Sequence, residues 1–254
     1  MTTWLFDLGN SRLKCAPLEG GVPGDIVEAA HDGENFADGW PARLPMRIDT
    51  AFVSTVASTV LTATLLDALV QRCTLISLAR TQDQCDGVRI AYGIPAQLGV
   101  DRFLALLAAH ARARDPWLVV GVGTALTIDL LAGDGRHHGG RIAPSPTLMR
   151  EALHLRAPHL PSSGGVYADF ANDTAAGLSS GCEGAALGLI ASSRNAAILH
   201  VGCAPRLLLH GGGAASLLPY LEDAVHAPAL VLEGLARWSR MGGGNDINLG
   251  KPQD

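Results

Sequence analysis

Asp7-Leu8-Gly9-Asn10-Ser11-Arg12 follows a short apolar run, Trp4-Leu5-Phe6, and precedes an alternating segment, Leu13-Lys14-Cys15-Ala16-Pro17-Leu18. The pattern reads as a strand, a tight glycine turn and a returning strand. A carboxylate closes the first strand, and small hydrogen-bonding residues fill the turn. Such a turn suits a phosphate tail. Gly9 admits close backbone approach, Asn10 and Ser11 can donate, and Asp7 can hold a hydrated cation. Taken alone, the six residues fit a β-hairpin with a merely polar turn equally well.

The rest of the chain bears on that choice, because the pattern recurs. Trp117-Leu118-Val119-Val120-Gly121-Val122-Gly123-Thr124-Ala125-Leu126-Thr127-Ile128-Asp129 again reads as strand, Gly/Thr turn and strand. A shift of 114 positions puts Gly9 on Gly123, Asn10 on Thr124 and Ser11 on Ala125. Later elements of the two halves also match. In the first half, Ala51–Ser54 is a short strand, Thr55–Ser58 a turn and N-cap, and Thr59–Arg72 a helix. Val60, Leu61, Leu65, Leu66, Leu69 and Val70 fall on one face of that helix, and Thr74–Leu78 is the next strand. In the second half the order is strand Arg206–Leu209, glycine turn His210–Gly213, helix Ala214–Val225 and strand Ala229–Leu232. The spacing is too long and irregular for a solenoid. It implies two similar α/β domains, 1–115 and 116–240, with a ligand cleft between them, and a flexible Gly-rich tail over 241–254.

Other elements fill in the plan. Strands are expected near Gly24–Ala30, Val88–Tyr92 and Gly139–Pro144. A helix opens at Leu98-Gly99-Val100-Asp101-Arg102 and runs to about Arg114. Its first turn, with free N–H groups and the positive dipole end, favours an anion. A helix over Thr147–Leu155 and a long small-residue helix over Gly181–Leu199 come next.

Composition narrows the classes. The 254 residues are 48% hydrophobic and 17% charged, enough for one large core or two modest ones. A net charge of −5 gives no support to a nucleic-acid partner. No polybasic or strongly amphipathic segment favours a membrane surface, and no apolar run is long enough to span one. Five scattered cysteines without a CxxC read as reduced thiols in a cytoplasmic protein. No signal peptide is read at the N-terminus.

Paired hairpins of this kind are the plan of the acetate-and-sugar-kinase/heat-shock/actin superfamily, whose two domains are ribonuclease H-like, actin-type ATPase units. Within it, Asp7-Leu8-Gly9-Asn10-Ser11-Arg12 resembles the Asp-x-Gly-Asn-Thr/Ser-Arg opening of type III pantothenate kinases. Leu98-Gly99-Val100-Asp101-Arg102 resembles their Leu-Gly-x-Asp-Arg segment, and Gly123-Thr124-Ala125-Leu126-Thr127-Ile128-Asp129 their Gly-Thr-Ala-x-Thr-x-Asp. Gly139-Gly140-Arg141-Ile142-Ala143-Pro144 is similar to Gly-Gly-x-Ile-x-Pro, and Asp173-Thr174 with Ser180-Gly181 to a later Thr…Ser-Gly element. The ordered set spans about residues 4–240. It departs at Ser145, where Gly often follows the Pro, at Leu8 in place of Ile, and over His154–Val166.

The resemblance implies ATP-dependent phosphorylation of pantothenate to 4′-phosphopantothenate, toward coenzyme A, by a homodimer. It implies Asp101 as general base, with Tyr92, Gly99, Arg102 and Thr174 binding pantothenate. Asp7, Gly9, Asn10, Ser11, Lys14 and Thr124 would meet the ATP phosphates, with Asp7 serving Mg2+. Asp129 would ligate a monovalent cation, K+ or NH4+. The chemistry is coherent: phosphoryl transfer needs positioning and charge neutralisation, a carboxylate can take the hydroxyl proton late, and Arg102 can fork onto a substrate carboxylate.

Plainer readings exist for each residue. Asp101 is also a favourable helix-start charge, Asp129 a solvated strand-end acid, Lys14 an outward strand lysine, and Tyr92 a packing residue. His137-His138 reads as a polar loop before it reads as a metal site. His210, beside Gly211-Gly212-Gly213, stays ambiguous. Two other functions fit the same plan, a non-catalytic ATP-binding accessory protein and a kinase for another small hydroxyl substrate. Asp7, Asp101 and Asp129 together argue for catalysis, and Arg102 for a carboxylate-bearing acceptor.

Overall fold

The computed structural model describes residues 2–242 and 245–249. By contacts the chain divides into two units, Met1–Arg112 with Ala229–Asp254, and Ala113–Pro228.

In the first unit, the apolar run and the alternating segment form an antiparallel hairpin, Thr3–Leu8 (β1) and Arg12–Glu19 (β2), with Leu8 opposite Leu13. The chain continues through Val22–Pro23 (β3), Val27–Ala30 (β4) and Ile48–Thr55 (β5). β5 runs parallel to β1, with Asp7 in register with Ser54. Thr59–Val70 (α1) follows, then Cys73–Leu78 (β6), parallel to β5. Ser58 Oγ caps α1 by accepting the Leu61 N–H at 3.2 Å. Leu61, Leu65 and Leu69, one every four residues, are its buried stripe, each worth about 1.5–3 kcal/mol of apolar burial as an upper estimate. Val60 and Val70, read as part of that face, are exposed.

The expected strand Val88–Tyr92 shrinks to a two-residue-turn hairpin, Gln84–Cys85 (β7) and Val88–Arg89 (β8). Asp86 and Gly87 both take positive φ, 46° and 82°, as a type I′ turn requires. Val100–Arg112 (α2) closes this part of the chain.

The second unit repeats the plan. Trp117–Val122 (β9), Ala125–Leu131 (β10) and His137–Pro144 (β11) are antiparallel. Pro146–Arg156 (α3) and Thr174–Val201 (α4) precede Arg206–His210 (β12), which pairs parallel with β9. α4 begins well before Gly181 because Asp173 caps it, accepting the Ala176 N–H at 2.9 Å. An interior glycine such as Gly177 costs only about 1 kcal/mol against that start. Gly202, at φ 78°, ends the helix. After β12 the helix Ala214–Leu217 (α5) is one turn long, and the last strand of this sheet is Val225–His226 (β13). The sheet order is β11-β10-β9-β12-β13.

The remaining residues return to the first unit. Ala229–Leu232, read as a strand, opens a helix, Leu230–Trp238 (α6). A short apolar run cannot be told from a buried helix by period alone. Here Leu232, Leu235, Ala236 and Trp238 continue the buried set at helical spacing. α6 packs on α2, so the reading that closed the second domain at 240 gives way at Ala229. The tail reading changes too: Asn245–Asn248 (β14) pairs antiparallel with β6, and Asp246 Oδ1 accepts the Ser77 hydroxyl at 2.7 Å. Gly243, Gly244 and 250–254, the rest of that expected flexible tail, lie outside the described residues. The first sheet thus runs β14-β6-β5-β1-β2-β3, with β4 also on β2. Among the described residues no helix is long and apolar enough to cross a membrane.

Two glycines separate backbone contact from helix propensity. A methyl on Gly234 would collide with the Leu104 carbonyl of α2, whereas one on Gly188 of α4 meets nothing. Gly234→Ala is therefore expected to destabilise by about 3 kcal/mol and Gly188→Ala to stabilise by about 0.5–1 kcal/mol in chemical denaturation. Equal effects would refute the close α2–α6 approach.

Candidate active site

Asp7 lies next to last on β1, with Lys14 opposite it on β2 and Ser54 beside it on β5. Burial, and then the negative charge of Asp101, push its carboxyl up from 3.8 to about 7. Lys14 and the Ser54 hydroxyl pull the other way. The Ser54 pull is weak, since its wholly buried Oγ makes no hydrogen bond of ordinary geometry. Lys14 is shared: its Nζ is 3.5 Å from Glu28 Oε1, and Glu28 also takes Arg12 Nη1 at 2.8 Å.

Beyond Asp7, the turn is closed by the Gly9 N–H donating to Arg12 O at 3.1 Å. Asn10 and Ser11 are exposed on it. His31 holds the turn from behind. Its Nδ1 accepts the Gly33 N–H at 3.2 Å, which leaves Nε2 to donate to Gly9 O at 3.0 Å. The sequence carried no signal for His31, because its partner is a backbone oxygen far along the chain.

Asp101 stands in the first turn of α2, where Oδ1 accepts the Arg102 N–H at 2.8 Å. A Cβ on Gly99 would come within 2.6 Å of that oxygen, so glycine is what leaves the carboxylate its place. Arg102 is buried to 6% exposure although it belongs to a helix start. Its Nη1 approaches Tyr92 Oη at 3.4 Å, and its guanidinium lies 5.8 Å from the Tyr92 ring centre. Tyr92, Gly99, Asp101 and Arg102 therefore gather in one place, with Asp101 near enough to Asp7 to repel it.

The second unit holds Thr124, Asp129 and Thr174. Thr124 is exposed on the β9–β10 turn, closed by the Gly123 N–H donating to Ala125 O at 3.0 Å. This turn is one residue shorter than the first. Leu8 and Leu13 enclose Gly9 to Arg12, four residues; Val122 and Leu126 enclose Gly123 to Ala125, three. The offset of 114 thus holds up to the turn and slips to 113 beyond it, and the two turns differ by a residue.

Asp129 is no solvated strand-end acid. It is 2% exposed, and His137 Nε2 donates to its Oδ1 at 3.0 Å. His137 opens β11 with a fully buried ring, which overturns the polar-loop reading for that residue. The imidazole takes one of the two oxygens of this buried carboxylate. Thr174 is exposed in the first turn of α4.

The first-unit cluster can place a general base, a cationic fork and a turn of donors close together. Asp7 beside Asp101 is short of positive charge, which fits a divalent cation brought in with a polyphosphate. Among the described residues no group of three or more His, Cys, Asp or Glu is gathered to hold a metal by itself.

The chain is similar to known proteins in sequence and in fold. The family model described as type III pantothenate kinase matches residues 4–195. A type III pantothenate kinase of Stenotrophomonas maltophilia (strain K279a) is 58% identical over 239 residues, 94% of this chain and 98% of that one. Two solved structures share the fold at low identity. A Campylobacter jejuni protein classed with the Baf family of transcriptional activators superposes with TM-score 0.63 at 19% identity, covering 94% and 98% of the chains. An archaeal actin homolog superposes at 0.52 and 10%, covering 95% and 100%.

The Asp7 shift has a sign that can be tested. Between about pH 4 and about pH 7 the folded chain keeps a proton on Asp7 that the unfolded chain has released. Asp7 therefore removes stability as pH rises through that window. The melting temperature of Asp7→Asn minus that of the unaltered chain should grow from pH 4 to pH 7. A constant difference would mean that Asp7 is ionised throughout.

Proposed function

The chain belongs to the type III pantothenate kinase family, and from that premise we propose that it transfers the γ-phosphoryl group of ATP to the hydroxyl of pantothenate. The product is 4′-phosphopantothenate, the opening step toward coenzyme A. The observation that carries the reading is Asp101 at the start of α2, given room by Gly99 and close to Asp7.

In this reading Asp101 orients the attacking hydroxyl and takes its proton as the new O–P bond forms. Tyr92, Gly99 and Arg102 hold pantothenate, the Arg102 fork facing its carboxylate, and Thr174 adds a hydroxyl. Asp7, Gly9, Asn10, Ser11, Lys14 and Thr124 meet the ATP phosphates, with Asp7 serving Mg2+ through water or phosphate. Bound Mg2+ neutralises charge on the phosphates. A monovalent cation, K+ or NH4+, is part of the proposal through the family resemblance alone.

The active unit proposed is a homodimer. Its support is apolar surface on one stretch of the second unit, where Leu155 is 80% and Phe170 99% exposed, with Ile142 and Val166 also bare. Phe170→Asp should convert a dimer into a monomer in sedimentation equilibrium. A mass that does not change would remove this face from the interface.

The kinase itself is tested with purified chain, pantothenate and ATP, in potassium and in sodium alone. Product in potassium is expected, and none there would sink the proposal. Equal rates in both salts would remove the monovalent cation. Asp101→Asn should lower kcat by about 10²–10⁴-fold with no fall in melting temperature; retained turnover would mean another base.

A further inference from the structure

The two hairpins can be overlaid on either side of their turns, and one row of the overlay differs in character. In the first unit the row across the strands reads Lys14, Asp7, Ser54. In the second the matching row is Thr127, Gly121, His210. The position that holds the carboxylate of Asp7 is a glycine, and the position that holds the small Ser54 is an imidazole. The exchange is steric. A Cβ on Gly121 would lie 2.9 Å from His210 Nε2 and 2.6 Å from Thr127 Oγ1, so the ring and the hydroxyl already occupy the space in front of that glycine. His210 is half-buried there. The turn after it is fixed to the hairpin: the Gly213 N–H donates to Val122 O at 2.9 Å, and a Cβ on Gly211 would strike that same carbonyl.

We propose that His210 is a polyphosphate-binding residue, the second unit's donor to the phosphate tail in the position that the first unit gives to the Asp7 carboxylate. The proposal rests on the reading of the Gly123-Thr124-Ala125 turn as a phosphate contact. A carboxylate here would repel a phosphate that no cation shields, whereas an imidazole N–H donates to it. Thr127 Oγ1 borders the same space from the strand on the other side of β9. The ligand class is a nucleoside triphosphate, recognised through its phosphates and not its base.

The test uses the full chain with two readouts, steady-state kinetics and the melting-temperature shift given by inorganic tripolyphosphate. His210→Ala should raise KM for ATP about tenfold, leave KM for pantothenate unchanged and shrink the tripolyphosphate shift. His210→Gln, which keeps a donor, should recover most of the binding. Gly121→Ala should push the ring aside and weaken ATP similarly, while Gly121→Ala combined with His210→Ala should lose less than the sum of the two single changes. If His210→Ala melts much lower than the unaltered chain, His210→Gln and the double variant decide. An unchanged KM for ATP in His210→Ala, or additive losses in the double variant, overturns the proposal. So does an unaltered chain whose melting temperature ignores tripolyphosphate. An unaltered chain that binds tripolyphosphate yet leaves pantothenate unphosphorylated sinks the kinase reading alone.

Discussion

Asp7 and Asp101 repel one another in a place short of water, and the first unit is built so that neither can retreat. The β2-β1-β5 register fixes Asp7 between Lys14 and Ser54. A slip of one residue would turn it to the opposite face and put Phe6 or Leu8 in its place. Asp101 is fixed by α2 through the Arg102 N–H. Two acids so held have two ways to relax: one takes a proton, or a cation arrives. The raised Asp7 pKa is the first way. A divalent cation carried by a nucleotide would be the second, and by linkage its arrival near neutral pH would release the proton that Asp7 had kept. Lys14 is close enough to soften the repulsion but is divided between Asp7 and Glu28, so it does not remove it.

The duplication explains why so little chain is needed to build the site. Each unit pairs the first strand of an antiparallel hairpin with a parallel strand that leads into a turn and a helix. That arrangement brings one hairpin turn and one strand end to the same edge of each sheet. The units then differ in the side chains of one row across the strands: Lys14, Asp7 and Ser54 in one case, Thr127, Gly121 and His210 in the other. The copies have diverged where this row lies and in the length of the turn, while the residues beneath remain apolar in both units.

How much of this could be read beforehand depended on the range of the interaction that fixes each feature. The hairpins, the parallel strands after them and the helix bearing Asp101 are set by local periodicity, glycine and capping residues, and all were legible. What failed was fixed from afar. His137 looked like loop because its reason for burial, Asp129, sits across a bulged antiparallel pair. Ala229–Leu232 looked like strand because four apolar residues do not disclose that α2 lies beneath them. The tail over 245–248 looked loose because a strand added at a sheet edge needs only backbone partners, which composition does not reveal. His31 was silent for the same reason: its partner is the carbonyl of Gly9.

The glycines of the site sharpen the distinction between what the fold needs and what a ligand needs. At Gly99, Gly121 and Gly211 an added Cβ would meet the chain itself, namely a carboxylate, an imidazole and a carbonyl. Those glycines are explained without any ligand. Gly9, which gave the opening turn its appearance, is different. Its φ is unexceptional, and a Cβ there would rest 3.5 Å from Arg12 O, an ordinary contact. Nothing inside the chain forbids alanine at position 9. The same holds at Gly123, where the nearest atom would be 3.9 Å away. Two glycines at matching turns, neither required by its own fold, leave room for an external group where a side chain would otherwise stand. The phosphate reading of the two turns therefore rests less on their glycines being conformationally necessary than on their being sterically optional for the fold.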